Sequence, residues 1–301
     1  MNIIATNMKF IAKKVKKNNN NKYNYRWCSM NLFEKLLYFL QGEMIEPKAF
    51  GWFHILWLAL SAISILVLYK RKKYYSEKQL KIVLGIYGIV ALVLEILKQL
   101  MWTFNYDSTA NLITWDYNWY AFPFQLCTTP IFVSIICLFL KKGKIRNNLL
   151  NYMAYITILG SIATIILPDS CFVSDILVNI HTMWLHLGSF VVSIYLIMSG
   201  KVNTDFKSLK GAFIVFLIFV SIALFLNIFI YNIGILNGET FNMFYISPYF
   251  ISELPGFNFL QLKLPYLLYL IIYISAITLG GTIICSISQI IKKVRKYIKR
   301  Y

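Results

Sequence analysis

A single cysteine stands in a polar, proline-bracketed stretch of an otherwise apolar region, FPFQLCTTPIF at residues 122–132. The polar members of the stretch are Gln125, Cys127, Thr128 and Thr129. Pro130 has no N–H to donate to the carbonyl four residues back, so it predicts a helix that kinks or loosens beside the cysteine. Pro123 suits a first helical turn, which would place the cysteine near a helix N-terminus.

A thiol in apolar surroundings is unreactive unless a base or a cation stabilises its thiolate, which can then accept an acyl group. Three side chains could activate Cys127 in this way: His54, Lys98 and His181. The alternative is that Cys127 is a small core residue, the role expected of Cys137 and Cys285 in their plain apolar runs. The five cysteines show neither a CxxC pair nor metal-ligand spacing, so no disulfide framework, metal site or other cofactor is expected.

Other polar side chains interrupt the apolar segments at one common depth. They are His54, Glu95, Lys98, Gln99, His181 and His186. Counted from the predicted segment ends at about 1.5 Å per residue, nearly all of them fall in the outer half of the membrane, as Gln125, Cys127 and Thr128 do. One polar cavity open to the outer leaflet explains this coincidence, with these residues lining it and binding substrate. The alternative is that Glu95 and Lys98 only neutralise each other and that the histidines bind backbone carbonyls.

The composition places these residues in a membrane protein. Of the 301 residues, 58% are hydrophobic and only 14% are charged, whereas globular domains average about 25% charged residues. Segments of about 20 apolar residues span the hydrocarbon core as helices. Seven are predicted, at about 50 to 69, 81 to 103, 121 to 140, 148 to 167, 176 to 199, 211 to 231 and 264 to 290. Glycines at 160, 188 and 280–281 predict close helix packing.

The net charge of +18 follows the predicted topology. Nineteen of the 30 lysines and arginines lie in alternate connections, at 70–81, 141–146 and 200–210, and in the tail at 292–300. By the positive-inside rule this pattern predicts an outer N-terminus and a cytoplasmic C-terminus. The charge is thus a topology and anionic-lipid signal, and nucleic-acid binding is not expected.

The ends of the chain differ from the seven-helix domain predicted at residues 50–290. Residues 1–29 are basic and asparagine-rich, and they are either a disordered tail or precede a true start at Met30. Residues 30–49, with NLFEKLLYFL, predict an amphipathic helix in the outer interface. Residues 291–301 form a basic cytoplasmic tail. The aromatic loop at 237–261 is expected to be either a lid or an aromatic belt segment.

Four stretches resemble one known family: KAFGWFHILWLAL at the first segment, FPFQLCTTPIF at the third, ILPD closing the fourth and NIHTMWLHLGSF in the fifth. Over roughly residues 46–290 the chain resembles the YwaF-type bacterial integral membrane proteins, which are related to a human ether-phospholipid acyltransferase. The most specific element is a Pro-x-(His or Gln)-Leu-Cys motif together with a histidine in the fifth segment.

The resemblance implies a seven-helix lipid-modifying enzyme, in which Cys127 is the acyl-accepting nucleophile and His181 is the base. The same fold resembles membrane hydrolases that use a threonine and a histidine on fatty-acid esters. Gln125 stands where many relatives have histidine, which argues against a base at that position.

Residues and resemblance together predict a membrane-embedded lipid acyltransferase of the transacylase type. Its partners would be phospholipid or lysophospholipid and a fatty-acyl chain, and its location the bacterial plasma membrane. Hydrolysis would use the same chemistry with water as acceptor. The alternative of another class is a non-enzymatic binder or transporter of small molecules or lipids. The acyl donor, the acceptor and the oligomeric state stay open.

Overall fold

The structure, a computed structural model, describes residues 30–71, 75–107, 109–110, 112–168 and 171–298. The predicted basic tail at 1–29 and the last three residues of the C-terminal tail lie outside the described residues. The described chain is mostly helical, and the prediction of an all-α polytopic membrane protein is confirmed.

Six helices within the described residues are long and apolar enough to cross a membrane. They are α2 (Trp52–Lys70), α3 (Glu77–Thr103), α5 (Lys144–Ile166), α6 (Ile176–Met198), α7 (Phe206–Asn232) and α9 (Tyr266–Ile298). Each coincides with a predicted segment. A shorter helix, α1 (Leu32–Leu40), precedes them, and its N-terminus is fixed by a capping box between Asn31 and Glu34.

The predicted segment at 121–140 differs from the other six. Its helix, α4, covers only Thr129–Phe139, and Pro130 lies in its first turn. At about 1.5 Å per residue its 11 residues span about 16 Å, half of the hydrocarbon core. The predicted kink at Pro130 and the predicted helical turn at Pro123 are therefore both wrong. Pro130 starts the helix, because its missing N–H costs nothing in a first turn.

The backbone before α4 is non-helical, which hydrocarbon tolerates only where protein satisfies its polar groups. The carbonyl of Gln125 accepts the N–H groups of Thr128 (3.0 Å) and Thr129 (3.2 Å). The hydroxyl of Thr128 accepts the N–H of Gln125 at 2.9 Å. These bonds close a tight turn around Cys127.

Short elements cover one end of the bundle. The chain leaves α3 directly into β1 (Phe104–Asp107), which pairs antiparallel with β2 (Leu112–Trp115). A helix of seven residues, α8 (Phe257–Lys263), lies before α9. Neither the hairpin nor α8 follows from hydropathy, because both are too short to bury an apolar face of their own.

The bundle is centred on α5, whose residues Met153–Thr157 form a π-helical turn with every side chain buried. Gly280 and Gly281 bring α9 against this region. A Cβ added at Gly281 would lie 2.7 Å from Ile156 Cδ1. Close packing is thus found at 188 and 280–281, but the expectation for Gly160 is wrong, since nothing lies within 4 Å of a Cβ added there.

The basic connections meet at one end of the bundle. Glu77 at the start of α3 pairs with Arg146 and, at 3.6 Å, with Lys142. The ammonium of Lys292 on α9 donates to the carbonyl of Val202 at 3.4 Å. At the other end, Glu239 accepts the N–H of Trp119 at 2.7 Å. The basic connections that alternate along the sequence therefore lie at the same end of the folded bundle. The positive-inside rule predicts that this end is cytoplasmic.

Candidate active site

Three ionisable side chains meet between α3 and α6. His181 Nε2 lies 2.8 Å from Glu95 Oε2, and Lys98 Nζ lies 2.8 Å from Glu95 Oε1. All three are buried, with 4% of Glu95, 7% of Lys98 and 4% of His181 exposed. A buried charge is costly unless it is paired, and in this cluster each buried ionisable group has a partner of opposite type within 2.8 Å.

The packing of α3 on α6 sets the level at which these side chains meet. A Cβ added at Gly188 would lie 2.9 Å from the ring of Tyr87, so the two helices are in direct contact there. The hydroxyl of Tyr87 donates to the carbonyl of Leu185 at 3.2 Å. Glu95 is eight residues beyond this contact on α3 and His181 seven residues before it on the antiparallel α6. At about 1.5 Å per residue, both therefore rise about 11 to 12 Å to the same level.

Gln99 connects the ionic cluster to the segment that leads to the cysteine. Its Nε2 donates to Glu95 Oε1 at 2.8 Å and to the carbonyl of Ala121 at 2.6 Å. Its Oε1 accepts the hydroxyl proton of Tyr117 at 3.2 Å. Burial, then the charges of Glu95 and Glu239, raise the pKa of Tyr117, so this hydroxyl stays protonated at neutral pH. Both ends of the Gln99 amide are thus occupied by protein.

Cys127 lies in the turn before α4 and is half-buried. It immediately precedes Thr128, the N-cap of α4, and a helix N-terminus favours a negative charge nearby. The turn thus places the thiol beside the N-terminus of α4.

The cysteine turn is held in place by the outer loop. Gln125 Nε2 donates to the carbonyl of Asn242 at 2.9 Å, and its Oε1 accepts the N–H of Phe244 at 2.7 Å. Phe244 and Tyr245 have φ angles of 59° and 58°, a strained region for residues other than glycine. The Gln125 side chain therefore ties the turn before α4 to the strained turn at 243–245. Both ends of its amide are bonded to protein, so its role is structural.

Asn227 is a polar residue of the region that sequence reasoning missed. It is fully buried on α7, five residues before the end of that helix, and it holds Met243 through bonds of 2.7 Å to its N–H and 2.9 Å to its carbonyl. An asparagine inside an apolar segment, at the depth shared by the other polar residues, was the signal that could have found it.

The two remaining histidines lie outside this cluster. His54 is buried at the start of α2, where its Nδ1 accepts the N–H of Phe50 at 3.2 Å. Its ring centroid lies 6.0 Å from that of Phe172. His186 is half-buried on α6, five residues beyond His181. Of the predicted site residues, Glu95, Lys98, Gln99 and His181 are joined in one network, and Cys127 and Thr128 lie in the adjoining turn.

Comparison with known proteins identifies one family. A family model described as the TMEM164 family matches residues 49–284. No curated protein matches the chain. No solved structure matches it either.

Proposed function

Because the chain belongs to the TMEM164 family, is a multi-pass membrane protein and pairs a buried histidine with a carboxylate, we propose that it is a membrane-embedded lipid acyltransferase. The observation that carries the proposal is the buried His181–Glu95 pair, 2.8 Å apart, in a network that extends to the carbonyl of Ala121, six residues before Cys127. A carboxylate on one imidazole nitrogen orients the ring and stabilises its protonated form, as in other nucleophile–histidine sites.

In the proposed first step, the thiol of Cys127 gives its proton to His181 and attacks the carbonyl carbon of a phospholipid acyl ester. Since Nε2 of His181 faces Glu95, Nδ1 is the nitrogen for this exchange. The tetrahedral intermediate collapses to a thioester, and the departing lysophospholipid oxygen takes the proton from His181. Lys98 stabilises the oxyanion or holds the phosphate, since an ammonium has three donors and Glu95 uses only some of them.

In the proposed second step, the hydroxyl of an acceptor lysophospholipid gives its proton to His181 and attacks the thioester. The acyl chain moves to the acceptor oxygen, and the cysteine leaves as a thiolate that regains the proton. With water as the acceptor the same steps release a fatty acid. The predicted opening to the outer leaflet favours a phospholipid donor over cytoplasmic acyl-CoA, which makes the reaction a transacylation. The resemblance to YwaF-type proteins supports a bacterial plasma membrane as the location.

A binder or transporter is the second candidate, and the half-length helix α4 favours it. Interrupted helices with non-helical backbone at membrane depth commonly form solute sites in transporters. Buried Glu, Lys and His side chains also occur along solute and proton pathways. Such a protein has no need of a thiol at position 127, so the cysteine separates the two candidates.

The test is intact-protein mass spectrometry after incubation with mixed phospholipids. Wild type is expected to gain an acyl mass that hydroxylamine removes, and Cys127→Ala is expected to lack it. Cys137→Ala is the matched control, because that thiol lies ten residues further on and is buried in α4. Equal acylation of wild type and Cys127→Ala, or no acylation of either, would remove the nucleophile from the proposal and favour the binder.

A further inference from the structure

A cavity of about 280 Å³ lies between the outer part of α3 and the start of α4. Its walls are almost entirely apolar, with Leu92, Ile96 and Leu100 on α3 facing Ile131 and Phe132 on α4. This volume is just below the range for small-molecule pockets, about 300 to 1,000 Å³. It is too small for a whole phospholipid and large enough for part of one hydrocarbon chain.

The cavity exists because α4 is short. Deeper in the bundle α3 and α4 touch, since a Cβ added at Gly88 would lie 2.9 Å from Ser134 Cβ and 3.1 Å from Ile135 Cδ1. One turn beyond Gly88 the contact opens, because α4 begins only at Thr129 and the preceding chain turns away as a non-helical loop. Pro123 of that loop borders the cavity. The space therefore has a closed inner end, and it is bordered by the chain on either side of the cysteine turn, at Pro123 and at Ile131.

Two rows of side chains on α3 give the cavity a direction. Leu92, Ile96 and Leu100 are four residues apart and form one row; Glu95 and Gln99 form the neighbouring row. Ile96 is 51% exposed on the surface that faces hydrocarbon. Glu95 borders the cavity and pairs with His181 on its other side. The cavity thus leads from the lipid-facing surface of the protein to the ionic cluster.

We infer that this cavity, called here the α3–α4 groove, binds the acyl chain of a membrane lipid, with its ester directed to Glu95 and His181. The groove is continuous with the hydrocarbon-facing surface, where lipid chains are the available ligands. Its apolar walls would leave most groups of a polar ligand without hydrogen bonds, which is costly. The chemical role of the groove rests on the proposed function, whereas lipid binding in it does not.

The first test is crosslinking with a phosphatidylcholine that carries a diazirine in its acyl chain, in vesicles that contain the full chain. Labelled residues are mapped by peptide mass spectrometry as the fraction of this lipid is raised. Saturable labelling of Leu92, Ile96 and Phe132, reduced by excess unlabelled phospholipid, is the expected result. Labelling spread over the lipid-facing helices in proportion to exposure, without saturation, would show annular lipid only and overturn the inference.

Two tryptophan variants sharpen the test. Ile96→Trp adds bulk at the mouth of the groove, and we expect it to reduce saturable labelling about tenfold, the scale expected when extra bulk is forced into filled space. Ile89→Trp is the control, because Ile89 lies two turns earlier on the same face, is 54% exposed and does not border the groove. Equal labelling of the two variants would also overturn the inference.

Acyl transfer to lysophospholipid, measured on the same preparations, separates this inference from the proposed function. Saturable labelling without turnover would keep the groove and remove the acyltransferase. Turnover that Ile96→Trp leaves unchanged, together with unsaturable labelling, would keep the enzyme and remove the groove.

Discussion

Glu95→Gln tests whether the buried cluster is held by charge. The amide keeps the shape of the side chain but removes the carboxylate that lies 2.8 Å from both Lys98 and His181. Lys98 is then a buried ammonium without its counter-ion, with only 7% of the residue exposed. Breaking one partner out of a buried pair typically costs about 3 to 5 kcal/mol. For a chain of 301 residues, with an unfolding entropy of about 2.1 cal/mol/K per residue, that corresponds to a fall in Tm of about 5 to 8 °C.

The assay is thermal unfolding of the detergent-solubilised protein, followed by intrinsic fluorescence. The control is the double variant Glu95→Gln/Lys98→Met, which removes both charges and keeps the approximate volume of the lysine stem. We expect it to recover most of the lost stability, because no unpaired ammonium is left behind. Its acyl-transfer activity should stay low, since His181 still lacks its carboxylate.

Two results would refute the reasoning behind this prediction. Glu95→Gln could melt with the wild type, which would mean that the pair contributes no net stability. The double variant could instead melt as low as Glu95→Gln, which would place the loss in packing or in the hydrogen bond from Gln99 rather than in the stranded charge of Lys98.

Three further predictions concern single contacts, all measured by thermal unfolding. Gly281→Ala should lower the free energy of unfolding by about 1 to 3 kcal/mol, because its Cβ would lie 2.7 Å from a side chain of α5. Gly160→Ala, with open space around it, should instead raise it by up to about 1 kcal/mol; equal effects would contradict the packing described. Gln125→Leu should cost about 2 to 4 kcal/mol, since it leaves two buried backbone groups unpaired, and an unchanged Tm would contradict this. Asp205→Ala should cost about 1 kcal/mol at pH 7 by removing the N-cap of α7. Hydrogen bonds to the carboxylate lower the pKa of Asp205 in the folded state, so its contribution is present above the unfolded-state pKa and is lost as pH falls through the folded-state value. The difference between wild type and Asp205→Ala should narrow as pH falls below about 3.9, the unperturbed pKa of aspartate, and a difference that stays constant there would refute the assignment.

The sequence determines the positions of the long helices well. Hydropathy locates α2, α3, α5, α6, α7 and α9, because each must satisfy its own backbone in hydrocarbon. A shared depth predicted that Glu95, Lys98 and His181 lie close together, and the structure places them within 2.8 Å of each other as two pairs. Depth alone gives no direction around a helix, so it could not show that His54 and His186 lie outside this network. The catalytic roles stay predictions.

The start of α4 shows where hydropathy fails. Residues 121–128 are apolar enough to extend the segment, so a hydrophobic window includes them. The start of α4 was instead indicated by its local sequence, because a threonine at the cap followed by a proline in the first turn favours a helix that begins there. No local pattern could predict the hydrogen-bond partners of Gln125, Asn242 and Phe244, because they lie 117 and 119 residues away in the sequence.

The sequence separation between Gln125 and its partners also determines the order in which this region can form during biosynthesis. The turn that carries Cys127 leaves the ribosome well before residues 242–244, the loop that holds it. At about 5 to 20 residues per second, the 117 intervening residues take about 6 to 23 s to translate. During that interval the nascent chain has an 11-residue helix with an incompletely bonded turn at one end, in a solvent that offers it no hydrogen bonds. The thiol therefore acquires its mature surroundings only after most of the protein has been made, and a chain truncated before residue 242 would present the unfinished turn to the quality-control proteases of its membrane.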